Sequence, residues 1–388
     1  MNFNSLFMSL ILLIAGIVYN TNAQQTGEDC GTGDAPQHLA DWLMALNHDR
    51  SWTENQDTVF IGLQLWLIHA PGGLPAIRVD SLMNTVNDLN RRYAPARMQF
   101  YLADMPRFLP NATWNSPPNR QIFTTIADSL NLPRVVNIYF SNLSSLGLCG
   151  FAWYPNSGPG GTLTRGGAIM SYSCSSSGFG TLAHELGHYF SLPHPHNGTS
   201  NDPQSPLAER VTRNFNETLP RFNANCNASG DFFCDTPADP FGDRWGCVLP
   251  RNELDLNSDV FRPDSSLVMS YAGNGCRDRF SEQQFNAMYS TVEVNNAPRG
   301  YLRTRPSPPQ MSMSPIHPIL THPAAGQTDV QPNFAHFNWE AVPNANWYHF
   351  RIKRSGLAVA VKDTLVRDNW ASFFDSNMLP NTTYEWSV

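Results

Sequence analysis

At 388 residues, 41% hydrophobic and 15% charged, the chain is long enough to bury a full core and to hold more than one domain. A formal net charge of −7, with no basic run, excludes the electrostatic footprint of a nucleic-acid binder. The 30 prolines and 26 glycines exclude a plain helical bundle and point to long ordered loops or linkers.

The first element is an apolar run, Leu6 to Val18, followed by the small residues Thr21 and Ala23. It is short for a membrane span and reads as a secretory signal over residues 1–23, with an uncleaved anchor as the alternative. No later run is long enough to cross a bilayer, so no membrane span is expected in the mature chain. Residues 24–56 are polar, with one short helical pattern from Leu39 to Leu46 and an isolated Cys30 in GEDCGTGD.

Thr58 to His69 alternates and is apolar, which predicts a strand. Val79, Leu82, Val86, Leu89 and Tyr93 recur at helical spacing. Met98 to Leu102 is a second strand, Gln121 to Leu130 a helix, Val135 to Phe140 a third strand and Ala168 to Tyr172 a fourth. Strands alternating with helices predict a largely parallel sheet. Thr181 is the expected N-cap of the helix that follows. After His194 the chain is irregular for about seventy residues, until SEQQ at Ser281 forms a capping box for a helix with Phe285, Met288, Tyr289 and Val292 on its apolar face. Prolines dominate from Arg305 to Pro323, an extended linker. Short alternating runs around Phe337, Trp339, Tyr348, Phe350 and Ile352 follow.

Chemistry concentrates in HELGHYFSLPH, His184 to His194. His184 and His188 stand four apart, so a helix stacks them on one face where both can grip one metal ion. His194 lies beyond the helix and closes a three-histidine set. Glu185 sits beside the set, placed for a metal-bound water rather than for the metal. A catalytic zinc needs this combination: three protein ligands, an open fourth position and a base. His196 is expected at the surface. Of the seven cysteines, six fall between 149 and 276; export makes disulfides expected, and the odd count leaves one over.

Together with the downstream CDTPADP, with VMSY followed by Cys276, and with RFSEQQFNAM, the histidine motif resembles the pappalysin-like metzincins, a family of zinc metalloproteases. The resemblance covers roughly residues 57 to 300. It implies an α+β metzincin catalytic domain: a twisted, mostly parallel sheet with the metal helix above, and an irregular lower subdomain with a methionine turn, followed here by a truncated β-sandwich module. Zinc on His184, His188 and His194, Glu185 as general base, Met269 packed beneath the metal and Tyr271 at the oxyanion follow from it. An extended protein or peptide substrate would lie along an edge strand. The family has glycine where Ser191 stands, at a turn that often takes positive φ; serine there costs roughly 1 kcal/mol, and Pro193 stiffens the same turn.

The resemblance also implies pairing of Cys149 with Cys174 and of Cys247 with Cys276, leaving Cys226 for Cys234. It suggests calcium at Asp231, Asp235, Thr236 and Asp239, where solvated turn residues are the alternative. Some relatives have a comparable early cysteine, so Cys30 is a candidate zymogen switch, a thiolate in the fourth zinc position; a disulfide or a free thiol are the alternatives. Release by cleavage is placed near Arg50 and Ser51. Some relatives prefer a basic residue after the scissile bond through an acidic pocket floor; here AGNGC carries no acid, although Asp278 follows soon after.

The expected organisation is a signal peptide at 1–23, a pro-segment with the cysteine switch at 24–56, the catalytic domain at 57–303, a Pro-rich linker at 304–323 and a partial fibronectin type III-like module at 324–388, with Tyr384 at its tyrosine corner. The final strand of that module is missing, either because the chain is a fragment, which is favoured, or because the module is completed from elsewhere. The expected function is a secreted zinc endopeptidase made as a latent zymogen. The alternative is a secreted adhesion or binding protein with a structural metal site, which the presence of Glu185 disfavours, since a structural zinc needs no base.

Overall fold

The computed structural model describes residues 30–46, 57–73, 75–155, 166–175, 178, 180–199, 201–215, 223–293, 297–304, 317–331, 334–342, 345, 347–373 and 378–388. The expected signal peptide and the expected cleavage site near Arg50 and Ser51 lie outside the described residues. No helix among the described residues is long and apolar enough to cross a membrane.

The sheet is built around β1 (Val59–His69), whose residues are buried along almost their whole length. Leu63, Leu65 and Leu67 enter one core while Trp66 and Ile68 enter another, so both faces of the strand are covered. That is the usual environment of a parallel central strand. Strand β1 pairs in parallel with β2 (Met98–Leu102), with β3 (Arg107–Pro110) at its far end, and with β4 (Val136–Ser141). Strand β4 pairs in parallel with β6 (Gly167–Ser171), and β5 (Gly150–Ala152) closes that side antiparallel to β6. The order β2-β1-β4-β6-β5 leaves β5 at the edge. The expected mixed, mostly parallel sheet is present, and β3 and β5 are strands that periodicity did not show.

One face of the sheet carries α2 (Val79–Tyr93), with Leu82, Leu89 and Tyr93 buried, and α5 (Thr181–Tyr189), which bears His184 and His188. The other face is covered by α4 (Gln121–Leu130) through Phe123, Ile126 and Ala127, in chain order after α3 (Ala112–Asn115). Helix α6 (Glu282–Ser290) starts with the capping box expected at Ser281, closed by Gln284. Between α5 and α6 the chain is irregular and pinned by two disulfides, Cys226–Cys234 and Cys247–Cys276; Cys149–Cys174 ties the end of the β4–β5 connection to the chain after β6. Helix α1 (Gln37–Ala45) precedes all of this and buries Leu39, Ala40 and Leu43 in the principal core.

The C-terminal residues form two three-stranded antiparallel sheets, β11-β8-β7 and β10-β9-β12, from β7 (Leu320–His322), β8 (Ala335–Trp339), β9 (Tyr348–Arg354), β10 (Ala360–Val366), β11 (Trp370–Phe373) and β12 (Tyr384–Ser387). Phe337, Trp339, Phe350, Ile352 and Phe373 fill the core between them, a β-sandwich-like arrangement. The Tyr384 hydroxyl accepts from Leu379 N–H at 2.8 Å, a bond back to the backbone five residues upstream. The linker expected to reach residue 323 ends earlier, because Leu320–His322 is recruited as the edge strand beside β8. A Pro-rich stretch is already extended, and an edge position needs only part of its backbone donors.

Candidate metal centre

Helix α5 does not start as expected. Gly180, not Thr181, is its N-cap, in a left-handed conformation with φ +67°, and Thr181 is buried in the first turn. Glycine enters that conformation at little cost, and a Cβ there would press on the Arg92 guanidinium at 3.3 Å. All nine residues of α5 are buried, since the helix lies between the sheet and the lower subdomain.

The helix ends in a tight turn. Leu192 N–H returns to Gly187 O at 2.9 Å and Ser191 N–H to His188 O at 3.0 Å, with Ser191 at φ +78°. Serine in this left-handed position costs about 1 kcal/mol. Its hydroxyl lies 2.9 Å from that of Thr291 just after α6, a buried hydrogen bond of about the same size. The turn thus reverses the chain and carries His194 back over the helix.

His194 Nε2 is 3.2 Å from His184 Nε2 and 3.0 Å from His188 Nε2. Cys30 Sγ is 3.4 Å from His188 Nε2, and the four ligand atoms all lie within 4.8 Å of one another. Zinc–nitrogen and zinc–sulfur bond lengths put donors about 3.3 to 3.6 Å apart on a tetrahedral ion, so the set fits one zinc. The outer bonds agree. His184 Nδ1 and His188 Nδ1 each lie 2.7 Å from a backbone carbonyl oxygen, those of Val268 and Leu192. With both Nδ1 protons donated there, the Nε2 lone pairs face one another, an arrangement that a cation between them relieves. Burial pulls all three imidazoles down from their usual range, His188 to about 3, so they are neutral donors. Burial first and Glu185 second push the Cys30 thiol well above its usual value; a bound cation is what would favour its thiolate.

Glu185 is fully buried, with Oε2 3.5 Å from Cys30 Sγ and 3.5 Å from Thr32 Oγ1. It has room only because residue 150 is glycine: a Cβ there would come within 2.5 Å of Glu185 Oε1. Tyr271 donates its hydroxyl to Cys30 O at 3.3 Å, and its ring packs 4.8 Å from His194. His196 is not the surface residue expected. It is mostly covered and stacks on His194, ring centroids 4.6 Å apart and planes nearly parallel, and packs on Tyr271 at 4.6 Å. The fold of the 195–199 turn against Tyr271, rather than any local pattern, puts it there.

The segment around Cys30 lies on the edge strand. Cys30 and Gly150 form a parallel bridge, Gly31 N–H donates to Gly150 O at 2.8 Å, and Ala152 N–H donates to Thr32 Oγ1 at 2.9 Å. Farther on, Ala35 N–H donates to Asn197 Oδ1 at 2.7 Å and Gly198 N–H to Asp34 Oδ1 at 3.1 Å.

Residues 119–293 match the Peptidase_M43 family, described as Pregnancy-associated plasma protein-A. Over those residues the chain is similar to the pappalysin-type metalloproteases. An extracellular metalloprotease of Pyricularia oryzae is 26% identical over 211 residues, 53% of this chain and 63% of that protein. One of Arthroderma benhamiae is 27% identical over 198 residues, 48% and 72% respectively. The chain thus spans just under two thirds of the first of these relatives. Among solved structures, Tannerella forsythia mature mirolysin in complex with a cleaved peptide is 18% identical, with a TM-score of 0.47, over 64% of this chain and 97% of that one.

Met269 lies under α5, fully buried. A Cβ on Gly187 would collide with Met269 Sδ, so the packing of Met269 beneath α5 depends on a glycine that the motif's spacing did not single out. Gly187→Ala is expected to cost about 1–3 kcal/mol in denaturant unfolding and to loosen zinc binding; an unchanged midpoint would mean that the turn yields freely. Arg277, 2% exposed, lies behind His184 with Nη1 3.1 Å from Ser270 O and 3.4 Å from His184 Nδ1. Asp278, the acid nearest the methionine turn in sequence, is exposed and paired with Arg91 at 2.6 Å and Arg92 at 3.2 Å of α2.

The residues suggested for calcium separate in the structure. Asp231 and Asp239 are buried, and Asp231 accepts from Thr236 Oγ1 at 3.0 Å. Asp235 is exposed and accepts from Gln283 N–H at the start of α6, so it does not join them. Glu209, missed in the sequence because it lies 22 positions from Asp231, is buried beside them and paired with Arg213 at 2.6 Å. Glu209 Oε2 and Asp239 Oδ2 are buried without a hydrogen-bond partner. Burial raises these carboxyls, Asp231 and Asp239 to about 7; the charge of Asp231 adds to the rise at Glu209 and Asp239, and that of Asp235 to the rise at Asp231. The oxygens do not converge as the zinc set does: among the described residues, Cys30 with the three histidines is the group whose ligand atoms all meet within 4.8 Å.

Proposed function

We propose that the protein is a secreted zinc endopeptidase held latent by its own N-terminal segment, with domain limits as expected from the sequence except that the C-terminal module begins with the strand at Leu320. The observation that carries this is the convergence of Cys30 Sγ and three histidine Nε2 atoms, with a buried glutamate at 3.5 Å from the thiol that is not part of the ligand set. Zinc, when bound, supplies Lewis acidity at a peptide carbonyl and brings the pKa of water to about 7. Glu185 accepts the proton of the attacking water and returns it to the leaving amine. Tyr271 turns the hydroxyl that now meets Cys30 O toward the oxygen of the attacked carbonyl. Gly150 and Ala152 on β5 pair with the extended substrate. In the latent state the segment after Cys30 occupies those backbone groups, and the thiolate holds the fourth ligand position.

One observation favours a second reading. Cys30 completes a closed four-ligand set, which is the pattern of a structural zinc in a binding protein. Zinc analysis of the purified chain, with a protein-cleavage assay before and after removal of residues up to 56, separates the two. Near one zinc per chain, and cleavage only after removal, supports the peptidase; zinc without cleavage in either form overturns it.

Calcium at Asp231, Thr236, Asp239 and Glu209 is a further part of the proposal; their oxygens are of the hard kind calcium takes, and they would have to draw together around the ion. Because their folded pKa values are raised, these carboxyls lose stability as pH rises from about 4 through 7. With calcium chelated and zinc replenished, the melting temperature is therefore expected to fall across that interval, and added calcium to flatten the fall. A chelator that leaves the melting temperature unchanged at pH 7 would remove calcium from the account.

A further inference from the structure

We propose that Leu148 and Arg120 form a selective subsite next to the metal centre, which takes a substrate residue with little or no side chain and clamps its carbonyl. The proposal deepens the peptidase assignment and rests on it.

The latent segment marks the place. Gly31, one residue from the metal-facing Cys30, donates its N–H to Gly150 O at 2.8 Å and accepts at its carbonyl from Arg120 Nη1 at 3.1 Å. A Cβ on Gly31 would stand 3.0 Å and 3.3 Å from the two methyls of Leu148 and 3.3 Å from Gly150 O. Gly31 is not among the glycines with positive φ, so it is space rather than backbone conformation that selects glycine. Leu148 gives little ground. It is 4% exposed and packs in the core with Phe123, Ile126, Tyr139 and Ile169, and the next residue, Cys149, is held by its disulfide to Cys174. Arg120 stands at the N-cap of α4, which fixes where its side chain starts.

The restriction is local. One residue on, Thr32 carries a side chain without conflict and uses it on Ala152 N and O. A substrate strand on β5 meets the Leu148 wall whichever way it runs, because the wall belongs to the domain. Once the segment leaves, the Arg120 guanidinium is placed to donate to a substrate carbonyl instead. Arg120 is thus a positioning residue and Leu148 a specificity residue.

The test is a cleavage profile of the full chain after removal of its N-terminal segment, read on a peptide library with every residue type at each position. The expected wild-type profile prefers Gly at one position beside the scissile bond, with Ala and Ser cleaved more slowly and larger residues excluded. Leu148→Ala should admit Val and Leu there, shifting the ratio about tenfold, and Leu148→Val should move it partway if the alanine variant fails to fold. Arg120→Ala should raise KM about tenfold with kcat little changed, and Arg120→Lys should recover part. Identical profiles in wild type and Leu148 variants, or an Arg120→Ala loss confined to kcat, overturn the proposal. A second arm needs no activity: in the unprocessed chain, Arg120→Ala should speed labelling of Cys30 by a thiol reagent several-fold, and an unchanged rate counts against the clamp. If the wild type cleaves nothing, the peptidase assignment fails, and the labelling arm still judges the contact with Gly31.

Discussion

Glu185→Ala is expected to keep its zinc and to lose about 10²–10⁴-fold in peptide cleavage. The two halves of that outcome come from different parts of the geometry. Metal retention follows because the ligand atoms are Cys30 Sγ and the three Nε2 atoms, with Glu185 outside the set. His184 and His188 are oriented by the Val268 and Leu192 carbonyls, which the substitution does not touch. The loss follows because Glu185 Oε2 is the carboxylate oxygen beside the position the thiol holds, 3.5 Å away, and Gly150 leaves it no side-chain screen. Stability should change little. The carboxylate is buried and contributes to the repulsion that raises the Cys30 thiol, so removing it relieves a cost as well as emptying a small volume. Metal content by atomic absorption and kcat on a fluorogenic peptide, both on segment-free protein, check the pair. If zinc and cleavage fall together, Glu185 organises the metal; if cleavage survives, the base lies elsewhere.

Short-range physics made much of this legible in the sequence. A four-residue spacing on a helix brings His184 and His188 onto one face, and the structure has that helix. The apolar run of β1 and the capping box at Ser281 are likewise encoded within a few residues. What the sequence hid depends on contacts between distant segments. Strand β5 is only Gly150–Ala152, too short to show a period, yet it carries the backbone groups that the segment around Cys30 uses. Gly150 and Gly187 matter because of Glu185 and Met269, and a glycine does not announce what it makes room for. Glu209 meets Asp231 and Asp239 only through the folding of an irregular loop. Ser191 is the opposite case. Its positive φ was expected from the turn it replaces, while its partner Thr291, 100 positions away, could not be.

Cys30→Ala is expected to shorten latency on the order of tenfold without abolishing it. The thiol is one of three holds on the segment. It stands 3.4 Å from His188 Nε2 in the ligand cluster, and losing it opens the fourth position to water. The second hold is the pairing of Gly31 and Thr32 with β5, which keeps a substrate strand off the edge whatever occupies the metal. The third is the downstream anchor, with Ala35 on Asn197, Asp34 on Gly198, and Leu39 and Leu43 buried in the domain core. An alanine at position 30 touches only the first. The variant should therefore process itself faster on a gel time course, yet start with less activity toward added peptide than segment-free protein. Adding Leu39→Asp and Leu43→Asp, which weaken the anchor, should then bring the starting activity near the segment-free value. Unchanged latency in Cys30→Ala alone would place the lock in the strand pairing and α1, and would leave the thiol as a neighbour of the metal site rather than its gate.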